Sequence, residues 1–319
     1  MRQWIGPSAV VVVVALSLTA TGGRGQEQEP KIVRIDTLST RDTLYHLSNG
    51  GANAMALVDE INDGVVLIDS KLPGWGQAVT EAIQAVTHLP VTTIINTHAD
   101  VEHAGSNGEF TTAVQIVAHE NTRANMARME LFAGANATAL PTTTYTDRFS
   151  LLDGLDRIDL YHFGPAHTDG DTIVVFPEKG VAYFGDLFPS KATPVIDTDN
   201  GGSGVAFPDT LAKAVAGIEP VRRVLTGHGE FPATYAGRGR QQDRAARRAR
   251  ETRSLTWDDL AEYADFNRDF LAAVEEAYRA GTSVEAAAEN LALPDRYADY
   301  GMEHARANVE AIYNELASR

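Results

Sequence analysis

The 319-residue chain contains no cysteine. That absence excludes disulfide staples, so the fold must stand on buried apolar surface. It also removes thiolate ligands, a cysteine nucleophile and cysteine-linked lipid, leaving His, Asp and Glu to hold any metal. Positive charge is scarce too: 27 Lys and Arg face 43 Asp and Glu, a formal net charge of −16. Nucleic acid and anionic membrane surfaces attract basic patches, so neither is an expected partner. The chain also lacks a long apolar run. Its longest, AVVVVVALSL (Ala9–Leu18), falls short of the roughly 20 residues a membrane span needs.

That short run has another reading. Arg2 precedes it, and small residues (TATGG) and the polar RGQEQEP follow, the order of a secretory signal over residues 1–25. A cleaved signal predicts a periplasmic or secreted protein with no integral span afterwards. A main domain is expected over residues 31–235. An Arg-rich linker or helix follows over 236–255, where RGRQQDRAARRARETR carries seven arginines, read as a solvated segment. Residues 256–319 turn helical, with Leu260, Tyr263, Phe266 and Phe270 at helical spacing, and are expected to pack on the main domain.

Within the main domain, strand patterns alternate with helices. KIVRIDTLS, DTLYHLS, NAMALVDE and GVVLIDS read as strands, the last two joined at Asp63-Gly64. Residues 74–89 read as a helix with Ala78, Ile83 and Val86 on its apolar face, stopped by Pro90. Strands VTTII and VQIVAH and a helix from Glu120 through Leu131 follow. The second half offers RIDLYHFG, a hairpin in TIVVFPEKGVAYFGD, the helix FPDTLAKAVAGI and the strand RRVLTGHGE. Polar clusters fall at the strand ends, the usual place for a site on layered α/β folds.

Four such clusters carry metal-ligand chemistry. NTHADVEHAGSN (Asn96–Asn107) holds His98, Asp100, Glu102 and His103; GPAHTDGD holds His167; FGDLF holds Asp186; TGHGE holds His228. Glycines flank each cluster and let backbone approach a compact centre. Together they can supply the roughly six or seven ligands of a two-metal centre.

In order and spacing these clusters resemble the metallo-β-lactamase superfamily, whose signature reads His-x-His-x-Asp-His. The match runs roughly from Val33 to Glu230. The resemblance implies a four-layer αββα sandwich, here with a C-terminal helical extension. It implies one metal on His98, Asp100 (the second-histidine position) and His167. A second sits on Glu102 (the acid position), His103 and His228, with Asp186 bridging. Two residues depart from the pattern: Asp100 replaces His and Glu102 replaces Asp. Two divalent ions are expected, zinc foremost, while the anionic oxygens at 100 and 102 also suit iron or manganese.

The resulting expectation is an exported metal-dependent hydrolase in which metal-bound hydroxide attacks a small carbonyl substrate: a β-lactam, lactone, thioester or other ester. Asp100 or Glu102 would shuttle the proton. Lys191 and Asn107 are candidate substrate-binding residues, and His119 and His162 candidate partners that orient ligands. The alternatives are a diiron or dimanganese oxidoreductase, supported by Asp100, and a binding protein on the same scaffold. His46 and His88 read as surface or strand-end residues and His304 as solvated on the last helix. Gly201, Gly202 and Gly204 read as a mobile loop near the pocket.

Overall fold

A computed structural model describes residues 30–38, 43–110, 114–229 and 255–319. The signal-like run and the arginine cluster lie outside the described residues. Period-two alternation sets the architecture. On β3 (Ala54–Asp59), Met55 and Leu57 face one side and Ala54, Ala56 and Val58 the other, and both sides are buried. The neighbouring β4 (Gly64–Ile68) is likewise buried throughout. Strands covered on both faces read as near-continuous apolar runs because each face meets its own layer.

Among the described residues, one sheet has seven strands in chain order. They are β1 (Arg34–Thr37), β2 (Leu44–Ser48), β3, β4, β5 (Val91–Ile95), β6 (Gln115–His119) and β7 (Thr143–Tyr145). The other sheet orders β12-β11-β10-β9-β8. Its strands are β8 (Arg148–Leu151), β9 (Ile158–Tyr161), β10 (Ile173–Phe176), β11 (Val181–Tyr183) and β12 (Arg223–Leu225). Met55, Leu57, Val66, Ile68 and Ile95 from the first meet Leu160, Val174, Phe176 and Tyr183 from the second, forming the core between sheets. Outside the first sheet, Val79 and Ile83 of α1 (Gly76–Gln84) cover Ala56, Leu67 and Ile94. Outside the second, α4 (Phe207–Gly217) and α5 (Trp257–Arg279) cover Val175, Ala182 and Val224. This is the four-layer αββα sandwich.

The C-terminal residues are a helical layer on that outer face. Leu260, Tyr263, Phe266 and Phe270 of α5 are all buried there, joined by α6 (Val284–Glu289) and α7 (Ala305–Ala317). A capping box starts α5: Thr256 accepts from the Asp259 N–H while Asp259 accepts from the Thr256 N–H. No helix among the described residues is long and apolar enough to cross a membrane.

Three elements are shorter than their patterns predict. Helix α1 ends at Gln84, and Val86, expected on its apolar face, is 37% exposed. The β-branched pair Val86-Thr87 leaves the helix in turns onto the Ile83 carbonyl. The helix α3 (Glu120–Arg128) breaks at extended Met129, ahead of a short 3-10 turn. The last helix begins only at Ala305, so His304 is its cap rather than a mid-helix residue.

Topology gathers the polar loops at one end. Strands β4, β5, β6 and β7 pair in parallel, as do β11 and β12. Parallel strands send their C-terminal loops to a common edge. Asp69, His98 and Asp186 all follow such strand ends.

Candidate metal centre

The NTHADVEHAGSN segment leaves β5 as extended chain and then turns into the short helix α2 (Val101–Ala104), with Asp100 as its N-cap. Asp100 and His103 therefore stand one helical turn apart and face the same way. Glu102 is rotated about 100° from His103 around that turn. Its Cβ packs against Gly51, a glycine with φ +97° where an added Cβ would come within 2.8 Å. Glu102, expected as a ligand, lines the pocket but belongs to neither donor group.

Those groups are His98, Asp100, His167 and Asp186 in one, and His103, Asp186 and His228 in the other. In each, the donor atoms lie within 4.8 Å of one another. Asp100 Oδ2 is 3.2 Å from His167 Nε2 and 3.7 Å from His98 Nε2. Asp186 belongs to both groups; within the second, its Oδ1 is 3.3 Å from His103 Nε2 and its Oδ2 3.0 Å from His228 Nε2. Six of the seven expected ligands converge, and the two groups hold two carboxylates rather than three.

The histidines are oriented by residues the sequence reading did not single out. Buried Asp69, at the end of β4 and at φ +61°, accepts from the Thr97 N–H at 2.8 Å and the Thr97 hydroxyl at 2.8 Å. It also accepts from His103 Nδ1 at 2.7 Å and from Tyr183 Oη at 3.2 Å. A threonine hydroxyl has one proton; given to Asp69, it leaves the oxygen to accept from His98 Nδ1 at 3.0 Å. His167 Nδ1 donates to the Val195 carbonyl at 3.0 Å. Each of these three rings spends its Nδ1 proton outward and turns a bare Nε2 inward. The signal was present in VVLIDS: an acid at a strand end, like Asp186 in FGDLF.

This pattern fits divalent ions. The Nε2 atoms of His98 and His103 are buried without a hydrogen-bond partner. Bare nitrogens held 3.2–3.3 Å from carboxylate oxygens repel unless positive charge lies between them. Protons can serve where the carboxylates raise the basicity of the rings. Burial drives the His103 imidazole down, yet Asp69 and Asp186 hold it up to about 10. Burial likewise opposes the charged form of His167, while Asp100, Asp171 and Asp186 raise it to about 10. Burial works against the Asp100 carboxylate as well, but His98 and His167 keep it well below the usual carboxylate range. A divalent ion supplies the same charge and uses the nitrogens and oxygens as donors.

Other expected site residues fall elsewhere. Lys191 lies outside the pocket lining; its Nζ pairs with Asp259 at 2.8 Å and Glu262 at 3.3 Å. Asn107 is buried in a reciprocal amide pair with Asn96 (2.8 and 3.2 Å), a structural contact. His119 and His162 stack on each other at 3.9 Å; His119 Nδ1 accepts from the Asn121 N–H and His162 Nδ1 pairs with the Asp171 carbonyl. Neither contact touches a donor ring. The glycine loop is a tied turn: the Gly202 N–H bonds the Asp197 carbonyl, and Asn125 bonds the Asn200 carbonyl. None of Gly201, Gly202 and Gly204 lines the pocket. His46 is buried in β2, because its strand is covered on both faces. His304 is exposed, as expected, and also lines the pocket.

The pocket above the donors has a volume of about 390 Å³. Because Glu102 stands outside both groups, Glu102→Gln is expected to leave bound metal, counted by plasma emission, at the wild-type level. Turnover is expected to fall by about tenfold, below the usual general acid–base contribution because water can replace an accessible carboxyl. Loss of metal in that variant would return Glu102 to the ligand set.

A family model of the metallo-beta-lactamase superfamily matches residues 48–237. The alpha subunit of the 2,4-dinitroanisole O-demethylase of Nocardioides sp. (strain JS1661) is 31% identical over 166 residues, 51% of this chain and 48% of that protein. The match thus spans about half the length of that relative. Among solved structures, the DIM-1 metallo-beta-lactamase superposes with a TM-score of 0.52 at 14% identity, covering 62% of this chain and 90% of that one. A metallo-beta-lactamase from Pontibacter korlensis gives 0.49 at 16% identity, covering 62% and 92%. At 14% identity the likeness to the DIM-1 structure speaks to fold alone.

Proposed function

The chain belongs to the metallo-beta-lactamase superfamily, and on that premise we propose that it is an exported hydrolase of a small carbonyl substrate: a lactone, thioester, β-lactam or other ester. One observation carries this reading. Two donor groups share Asp186 and open onto a pocket wide enough for a small molecule. Divalent ions held there supply a Lewis acid for the carbonyl oxygen and bring the pKa of water toward 7. The chain's own part is orientation. Asp69, Thr97 and the Val195 carbonyl fix the rings of His103, His98 and His167. Glu102, in the pocket wall and outside the donor groups, is a carboxylate available to accept and return a proton. Export rests on the charged, apolar and small-residue order at the N-terminus.

Asp100 supports a second reading. An anionic oxygen where the family places an imidazole favours iron or manganese over zinc, as a dimetal oxidoreductase would require. The O-demethylase activity named for the Nocardioides relative adds aryl methyl ethers to the substrates worth testing. Metal content of the purified chain, measured beside turnover on a lactam, a lactone, a thioester and an aryl methyl ether, separates the readings. We expect two zinc ions per chain and ester-type hydrolysis that a chelator abolishes and zinc restores. Iron as the bound metal, with no hydrolysis of any carbonyl substrate, would overturn the hydrolase in favour of redox chemistry.

A further inference from the structure

Part of the pocket wall comes from outside the sandwich. Glu303 and His304, just ahead of α7, line it together with Asp100, Glu102 and Asp186. They are held in place by backbone. The Thr193 N–H donates to the Gly301 carbonyl at 2.8 Å, and the Gly301 N–H to the Lys191 carbonyl at 3.0 Å. The His304 N–H donates to Thr193 Oγ1 at 3.0 Å, and Asn308 Nδ2 to the Pro194 carbonyl at 2.9 Å. The same docking occupies Lys191. Its Nζ is shared by Asp259 and Glu262 and sits 5.8 Å from the Tyr300 ring centre, while Tyr300 donates to Glu262 at 2.9 Å. Among the described residues, the lining therefore contains four carboxylates and neither lysine nor arginine.

We propose that this pocket selects carbonyl substrates that carry no anionic group, neutral or amine-bearing, and that Glu303 sets the preference. The proposal rests on the hydrolase reading above and narrows its substrate class. Two divalent ions bring four positive charges, and Asp100, Asp186, Glu102 and Glu303 answer with four negative ones. Among the described residues, no lysine or arginine in the lining adds positive charge to hold a substrate carboxylate. Asp100 and Asp186 are committed to the donor groups, so Glu102 and Glu303 face the remainder of a bound molecule. A carboxylate there meets repulsion, and an ammonium meets attraction. Penicillin-type lactams, which carry a carboxylate, are disfavoured on this ground.

Three thiols of matched length test the selection without relying on turnover: 3-mercaptopropylamine, 3-mercaptopropanol and 3-mercaptopropionate. Each is titrated into the full chain loaded with cobalt(II), and binding is followed by the cobalt–thiolate absorption. Affinity is expected to fall in the order amine, alcohol, acid, with roughly a tenfold span for two partly screened carboxylates. Glu303→Gln is expected to narrow that span about threefold with cobalt content unchanged. Tighter binding of the acid than of the amine would overturn the proposal, and an unchanged span in Glu303→Gln would overturn the assignment to Glu303. The expected order without hydrolysis of any ester supports charge selection while refuting the hydrolase reading. A chain that takes up no cobalt overturns both.

Discussion

Asp186→Ala is expected to lower hydrolytic turnover by roughly a thousandfold and bound metal from two ions per chain to one or none. Asp186 is the one residue common to both donor groups, so its loss leaves His98, Asp100 and His167 on one side and only His103 and His228 on the other. Two imidazoles do not make a site that competes with water for zinc, which takes four ligands. The three-donor remnant keeps one carboxylate and is the group expected to retain metal. Asp186→Asn serves as the companion variant, because it keeps the side-chain volume next to Gly227, where an added Cβ would meet Asp186 Oδ1. It should show the same metal loss with an unchanged circular dichroism spectrum. Two metal ions retained in both variants would place the bridging ligand elsewhere.

Sequence and structure agree where one loop decides and part where several must meet. VTTII reads as a strand and is one, Val91–Ile95, since β-branched residues bounded by Pro90 and a polar run leave little choice. Asp63-Gly64 reads as a turn, and Asp63 takes φ +55° between β3 and β4. The converging histidines were legible because family order fixes which strand ends they follow. Glu102 stands at the acid position of the resemblance, but the chain coils at Val101 and turns residue 102 away from residue 103. Lys191, a candidate substrate-binding residue, is held outside the pocket lining. Its partners Asp259 and Glu262 lie about seventy residues downstream, and no local pattern announces a pairing across that distance. The Glu303 and His304 wall was hidden likewise, because a helical tail gives no sequence sign of the loop against which it docks.

Asp69 carries the second large effect, through geometry rather than contact with substrate. Its buried carboxylate accepts from Thr97, His103 and Tyr183, and through Thr97 it fixes His98. Two rings, one from each donor group, therefore take their orientation from a single residue. Asp69→Ala strands the buried Thr97 N–H and His103 Nδ1 and places alanine at φ +61°, a left-handed backbone that residues with Cβ adopt at a cost. The expected loss is about 3–5 kcal/mol, as for a buried charged pair broken on one side. That corresponds to a fall in melting temperature of about 10 °C. Asp69→Asn separates orientation from stability, because asparagine tolerates the left-handed backbone and its carbonyl oxygen can still accept from the Thr97 N–H. It no longer offers two anionic oxygens, so the Thr97 hydroxyl and the His103 ring compete for the remaining acceptor. The expected result is a smaller fall in melting temperature of the metal-free chain than in Asp69→Ala, together with zinc affinity lowered by roughly 10- to 100-fold, read by chelator competition. Native zinc affinity in Asp69→Asn would show that the rings hold their orientation without this carboxylate.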